Sequence, residues 1–276
     1  MGVFVSLAIT FKGSEGIVLA ADSRVTLTAQ HKDPSGKDWL VPATYDNATK
    51  LLKIAGQNHV AAVTYGVGTL GHPEPRTAHS LLPELEAALD PKKRLSVEEF
   101  ATKLSDFFMA QWQARVPAGA NIGNMSFLVA GYDEKAAYGR IFEIQVPGAP
   151  KPVEKTVNDF GLMWGGQQEI TSRILNGQDP PLMAVLKTKF NLDDAKVNAL
   201  VTEINAASAA KIPYQFLPLQ DCVDLSILLI RTTSQLMDYQ TQVRGVGGAI
   251  DVATITRQEG FRHIQRKEIR GERERS

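Results

Sequence analysis

The sequence predicts an α+β fold: two antiparallel sheets packed on each other with helices on their outer faces, a four-layer αββα sandwich. Three observations carry this. Runs with the two-residue period of strands stand at the beginning, in the middle and at the end of the chain. Runs with helical period fall in two blocks between them. The blocks do not alternate as strict βαβ units, which would make a parallel sheet. No internal repeat and no linker divides the chain, so residues 1–264 read as a single domain and 265–276 as a charged, frayed tail.

The opening strands are the clearest element. From Val3 to Phe11 one parity is apolar throughout (Val3, Val5, Leu7, Ile9, Phe11), while Phe4, Ser6, Ala8, Thr10 and Lys12 take the other. This is the pattern of a half-buried strand, and it puts Ser6 on the face that is not the main apolar one. Gly13-Ser14-Glu15-Gly16 supplies the glycines of a hairpin turn, and Ile17 to Ala21 is apolar without a break, as in a strand covered on both sides. That run ends on Asp22, with Arg24 two residues on. Charges at the mouth of a buried strand are costly unless paired or used. From the residues alone, Asp22 and Arg24 read as a structural ion pair and Ser6 as a polar residue facing water or a neighbouring strand.

Val25 to Asn47, which contains HKDPSGKDW, is rich in turn formers and reads as a long loop or an excursion at the sheet edge. Lys50 precedes the apolar Leu51, Leu52 and Ile54, and Val60, Ala62 and Thr64 lead a strand into Gly66-Val67-Gly68. Glycines there let a backbone approach something closely. A helix follows over about Ala78 to Leu89, and a second opens at Ser96-Val97-Glu98-Glu99 with capping-box spacing. Its stripe of Phe100, Leu104, Phe107, Phe108 and Trp112 is a core face. SFLVAGY and RIFEIQV, within Asn124 to Val146, are two strands around the polar turn Asp133-Glu134-Lys135.

Beyond Gly161, LMWGGQQEITSRILNG reads as a strand end, a Gly165-Gly166 turn and a helix closing at Asn176-Gly177. Asp193 to Ile204 is an amphipathic helix, and Val223 to Met237, apolar on most sides, is expected to be a buried one. AIDVATITRQEGFRHI closes the domain as a strand pair about the turn Gln258-Glu259-Gly260.

Composition narrows the class. A chain of 276 residues with formal net charge +0, hydrophobic content 43% and charged content 22% has the profile of a globular protein with an ample core. The balanced charge argues against a nucleic-acid surface, which shows as a basic excess. The one cysteine, Cys222, excludes a disulfide within the chain and suggests a reducing compartment. Leu225 to Ile230, the longest apolar candidate, is far too short to span a bilayer, and no signal-peptide pattern opens the chain. A cytoplasmic protein without membrane contact, cofactor or metal is expected.

GIVLAADSRVT at Gly16 to Thr26, KLLKI at Lys50 to Ile54 and GGAIDVATITRQEGF at Gly247 to Phe261 resemble the proteasome β-type subunits of the N-terminal-nucleophile hydrolases. The first and last blocks are long and bracket that family's order of elements; between them the chain agrees in pattern more than in letters. The resemblance implies the family's αββα sandwich and a threonine-type endopeptidase. In such an enzyme the first residue of the processed chain is the nucleophile and its own α-amine, which titrates near neutrality, is the general base. Counting back from ADSR without a gap puts Ser6 at the nucleophile position. By the same resemblance Asp22 and Arg24 are supporting charges, and Lys50 is the cation that lowers the nucleophile's pKa. Gly66 is the glycine whose backbone N–H stabilises the oxyanion. The implied substrate is a peptide or unfolded protein and the implied partner other copies of the chain, in a ring or related assembly.

The sequence also departs from that pattern. Serine stands for threonine, and Val5 rather than glycine precedes it, so that Met1 to Val5 is the segment to be removed. The family's downstream serine falls on Gly166, and its aspartate and serine before the final glycine pair fall on Val243 and Val246. The chain has no room before Val3 for the N-terminal helix of α-type subunits. The expected function is a proteasome-β-like peptidase of intracellular proteolysis. A catalytically inactive structural or assembly subunit of the same fold is the alternative. A stand-alone amide hydrolase acting on small molecules is the third reading.

Overall fold

The computed structural model describes residues 6–32, 35–36, 38–71, 73–241, 243–269 and 271. Met1 to Val5, read above as the start of the first strand and as a removable segment, lie outside the described residues. In chain order the strands and helices begin with β1 (Leu7–Lys12), β2 (Ile17–Ala21), β3 (Val25–Lys32), β4 (Asp38–Tyr45), β5 (Leu51–Leu52) and β6 (Val60–Gly66). The short β7 (Thr69–Leu70) and β8 (Arg76–Thr77) lead through a 3-10 turn at His79–Leu81 into α1 (Leu82–Ala87) and α2 (Val97–Arg115). Next come β9 (Met125–Gly131), β10 (Arg140–Val146), β11 (Ala149–Lys155) and β12 (Gly161–Gly166). The helices α3 (Glu169–Asn176), α4 (Pro180–Lys189), α5 (Asp194–Ser208) and α6 (Leu219–Asp238) precede the closing hairpin of β13 (Asp251–Thr256) and β14 (Gly260–Gln265).

Among the described residues the larger sheets are two, each five-stranded and antiparallel, in the orders β12-β1-β2-β13-β14 and β11-β10-β9-β6-β5. Their side chains sort into three cores, as the strand period dictates. Leu7, Ile9 and Phe11 of β1 pack with Val18, Ala20 and Val252 against Cys222, Leu229, Ile230 and Met237 of α6. Ala8, Leu19, Ala21 and Ala253, of the opposite parity, pack against Leu51, Val63, Tyr65 and Leu128 of the other sheet. Leu52, Ala62, Phe127, Val129 and Phe142, on the far face of that sheet, bury Phe100, Leu104 and Phe108 of α2. Ser6 therefore lies on the inter-sheet parity, at the end where β1 begins. It is buried rather than wet.

Local chemistry explains most boundaries. Ser96 Oγ accepts from the Glu99 N–H and Glu99 answers at the Ser96 N–H, so α2 starts with the capping box its sequence announces. Gly177, with φ 71°, ends α3 in the left-handed conformation that glycine adopts without strain.

Two expectations need correction, and two elements went unread in the sequence. Of the two readings of the segment from Val25, the loop gives way to regular structure: β3 and β4 form a two-stranded ribbon of their own, with Val25 opposite Tyr45. α6 buries one face only, since Leu228 and Leu236 are exposed, so its apolar residues are amphipathically arranged rather than enclosed. β11 escapes pattern reading because Pro150 and Pro152 interrupt it, which an edge strand tolerates. α4 escapes it because it opens on Pro180-Pro181; these sit in the first turn, where no N–H partner is needed, and Asp179 caps it by accepting from the Leu182 N–H at 2.8 Å. At the other end, β14 includes Gln265 and the chain stays attached beyond it, while residues 270 and 272–276 lie outside the described residues.

Candidate active site

The ends of β2 and β5 converge on one carboxylate. Asp22 follows the last residue of β2, and its side chain is sealed from solvent. Its Oδ1 accepts from the Leu7 N–H at 2.9 Å and from Lys50 Nζ at 2.6 Å. Its Oδ2 accepts from the N–H groups of Arg24 and Gly247, each at 3.1 Å. Four donors from four stretches of chain satisfy both oxygens, which makes a buried carboxylate tolerable. Lys50 stands one residue before β5 and is itself buried, its carbonyl accepting from the Thr64 N–H of β6. Burial pulls its pKa down and the Asp22 carboxylate pulls it up; burial is the larger effect, so the amine is less basic than an ordinary lysine.

The ion pair expected between Asp22 and Arg24 does not form. Arg24 turns to Asp46, in the turn after β4, with Nε 2.7 Å from Oδ1 and an Nη 3.1 Å from Oδ2. This fork-to-carboxylate pair raises the guanidinium pKa. Asp22 instead meets Arg24 through the backbone N–H, because residues two apart at a strand end share a side of the chain but not a reach. The Arg24 guanidinium lies so close to Gly247 that a Cβ there would stand 2.4 Å from Arg24 Cζ. Gly247 thus leaves the room that the guanidinium occupies, while Gly248, with φ 71°, faces Ser23 and Asp46.

Ser6, Lys50 and Gly66 line one small cleft with Thr26, Tyr65 and Ala78, enclosing about 30 Å³. Of the residues singled out in the sequence, these three come together, Asp22 stands behind Lys50, and Arg24 lies outside the cleft lining. Gly66 has φ 83° and its α-carbon faces Asn124, whose oxygen a Cβ would approach to 2.3 Å. The backbone around Ser6 is as tightly held. Its carbonyl accepts from the Gln167 N–H at 2.8 Å, and Gly166, with φ 95°, lies so near that a Cβ would come within 1.9 Å of the Ser6 oxygen. Val246, the other end of the departures, is wholly buried among apolar residues of the helix-facing core.

Tyr65 was not singled out in the sequence, and it forms a wall of the cleft. Its ring lies on Gly165, where a Cβ would stand 2.3 Å from ring Cζ, and its hydroxyl donates to Glu143 Oε1 at 2.6 Å. Glu143 is also paired with Lys155 at 3.0 Å and accepts from Gln145. Burial, then the Glu143 carboxylate, raises the Tyr65 pKa, so the phenol stays protonated as a donor. The signal available was a tyrosine directly before a strand-end glycine, and a second glycine pair, Gly165-Gly166, for its ring to rest on. Asp46 was hidden among the turn formers of its segment.

Among the described residues no group of three or more His, Cys, Asp or Glu side chains is placed to hold a metal ion, and no helix is long and apolar enough to cross a membrane. No family model matches the chain, and no curated protein does. Among solved structures it is similar to the Gly-1 mutant of Anbu, a proteasome-like protein, from Hyphomicrobium sp. strain MC1. The TM-score is 0.55 at 14% identity, over 94% of this chain and 87% of that one. That likeness shows a distant proteasome-like fold, of mixed α+β type with antiparallel sheets.

Proposed function

We propose that the chain is a proteasome-β-like peptidase of the N-terminal-nucleophile type, built on the four-layer αββα sandwich, with Ser6 as its nucleophile. The observation that carries the reading is the convergence of Ser6, Lys50 and Gly66 on one cleft, with Lys50 held by the buried Asp22. The likeness to Anbu supports the fold part of it. In this reading the residues before Ser6 are removed and the freed α-amine takes the proton from Ser6 Oγ as it attacks a peptide carbonyl. Lys50 places a cation beside the forming alkoxide, and the Gly66 N–H donates to the oxyanion. Asp22 keeps Lys50 in place; Arg24 braces the Gly247 backbone whose N–H holds Asp22. The reaction needs no cofactor. The setting is a cytoplasmic homo-oligomer acting on peptides or unfolded proteins, with no role for nucleic acid or membrane.

The test is the N-terminal residue of the purified protein, by intact mass, together with hydrolysis of fluorogenic peptides by the native chain and by Ser6→Ala. A chain starting at Ser6 whose hydrolysis vanishes in Ser6→Ala supports the reading. An unprocessed chain without hydrolysis sinks it.

A second reading has its own observation. Gly166 leaves no space for a side chain beside Ser6, and Val246 presents an apolar side chain to an apolar core, so the polar groups that would steady a free α-amine there are missing. This favours an inactive structural or assembly subunit of the same fold. Hydrolysis that depends on Ser6 excludes it.

A further inference from the structure

A second cavity lies at the far end of the sheets, and the chemistry at Ser6 does not touch it. β6 joins the two places: it ends on Gly66 at the cleft and starts, just after His59, at the cavity. The β5–β6 turn, the loop between α1 and α2, the β9–β10 turn and the β13–β14 turn meet there. The chain locks these connections to one another. The Gln57 side-chain amide donates to the Lys93 carbonyl at 2.7 Å and its oxygen accepts from the Leu95 N–H at 3.1 Å, while His59 Nε2 donates to the Leu95 carbonyl at 2.8 Å. The Tyr132 N–H donates to the His59 carbonyl at 2.9 Å and the Phe261 N–H to that of Asn58 at 2.6 Å, so the other two turns are pinned to the same place. The cavity, of about 500 Å³, is thus preformed and has room for a molecule of nucleotide size.

Its lining gathers four cations from three connections: Lys92 and Arg94, Lys135, and Arg257. Among the described residues none of the four is in an ion pair; Arg94 gives one N–H to the Tyr132 carbonyl at 3.0 Å. The carboxylates of the lining are turned elsewhere. Asp133 pairs with Arg140 at 3.0 Å and accepts from the Val97 N–H at 2.7 Å, and Glu259 pairs with Arg262 at 3.5 Å. Glu134 is the one lining carboxylate left to face four cations. Tyr132 also lines the cavity and is only 3% exposed, yet its hydroxyl makes no hydrogen bond among the described residues. Burial raises its pKa, so the hydroxyl stays a donor. A nearly buried donor without an acceptor and a gathering of unanswered cations are both costly, and one anion relieves both.

We propose that this cavity binds a small phosphorylated anion, its diphosphate group held by Arg94, Arg257, Lys92 and Lys135, with the Tyr132 hydroxyl donating to one of the oxygens. Guanidinium forks match two phosphoryl oxygens at once, and the lysines add point charges. The remaining volume takes the organic part of the molecule.

The experiment is a calorimetric titration of the full chain with inorganic pyrophosphate, at low and at physiological salt, with an oligoglutamate peptide as competitor. Saturable binding is expected, weakened about tenfold or more by Arg257→Gln and by Lys135→Gln. Tyr132→Phe is expected to weaken it about three- to tenfold without lowering the thermal midpoint, since the hydroxyl loses no partner within the chain. Lys103→Gln, on the exposed face of α2 outside the cavity, leaves the affinity unchanged. In amide NMR spectra pyrophosphate should move Ala136 and Gly260, which line the cavity, and leave Gly66 in place. Absence of saturable binding overturns the proposal, as does shifting of Gly66 in place of Ala136 and Gly260. Binding that Arg257→Gln and Tyr132→Phe leave untouched marks an adventitious ion only and overturns it too. Competition by oligoglutamate as effective as that by pyrophosphate replaces the small phosphorylated anion with an acidic peptide. No outcome is read through hydrolysis, so the cavity and the peptidase reading stand or fall separately.

Discussion

Lys50 Nζ stands 2.6 Å from Asp22 Oδ1 with both side chains all but sealed from water, yet the two partners are not equally dependent on each other. Asp22 keeps three backbone donors, from Leu7, Arg24 and Gly247, if the ammonium is taken away. The Lys50 ammonium, in turn, is held by the Asp22 carboxylate as its ion-pair partner. Asp22→Ala strands a buried ammonium and three peptide N–H groups, and is expected to cost about 3–5 kcal/mol. Lys50→Met removes one charged donor and fills its space with an apolar chain, for about 1–2 kcal/mol. Urea unfolding of both variants, with unchanged m-values, should give midpoints in that order. Equal losses would mean that the backbone donors do not hold the carboxylate.

The same pair fixes a pH dependence. The pKa of Lys50 in the folded chain lies below its ordinary 10.5 because burial outweighs Asp22. Between the folded value and 10.5 the unfolded chain binds the extra proton, so folding stability rises with pH across that window. Below it, stability carries the full cost of the buried ammonium. The stability of the native chain relative to Lys50→Met should therefore increase as pH climbs toward 10.5, measured as the difference between the two urea midpoints. A difference that falls through this window would contradict the depressed pKa.

Arg140 ties together the other side of the molecule. Its guanidinium donates to Glu154 on β11 at 2.8 Å, to Asp133 in the β9–β10 turn at 3.0 Å and to Glu98 in the first turn of α2 at 3.2 Å. The hydrogen bond from Arg140 is the main reason that the Glu154 pKa lies below the ordinary carboxylate value. A depressed carboxylate stabilises the fold above its unfolded pKa and loses that contribution as pH falls through the folded one. Being partly open to solvent, the network is discounted to about 1–2 kcal/mol in all. Arg140→Met should lose that much at pH 7 and converge on the native chain in acid, read from thermal midpoints at both pH values.

What the sequence disclosed and what it hid follow a physical line. Period carried the β1–β2 hairpin, the core stripe of α2 and the closing hairpin, because each has one face in an apolar core. Ser6, Asp22, Lys50 and Gly66 were legible only by resemblance, since a lone serine or strand-end charge has no period to betray it. The partner of Arg24 could not be read: whether it reaches Asp22 or Asp46 depends on where the turn after β4 returns, a long-range matter. Tyr65 and Lys267 were missed for a related reason. A tyrosine in an apolar strand looks like core, and a lysine in a mixed-charge tail looks solvated, until the chain that covers each is in place.

Gly166 gives the sharpest test of how far the site can be pushed toward the family pattern. A serine at this position is what the resemblance would supply, and it meets two obstacles: φ 95°, a conformation that side chains rarely adopt, and a Cβ 1.9 Å from the Ser6 carbonyl oxygen. Accommodating it must separate β12 from the start of β1, whose register brings Leu7 opposite Gly166. Gly166→Ser should therefore destabilise the chain by about 2–4 kcal/mol and break the bond from the Gln167 N–H to Ser6, rather than restore a proton relay. Hydrogen exchange reads this directly: the Gln167 amide loses its protection while amides of β9, in the other sheet, keep theirs. A Gly166→Ser chain with native stability and a protected Gln167 amide would show that the two strands can part at little cost, and that the glycine is not what keeps Ser6 where it is.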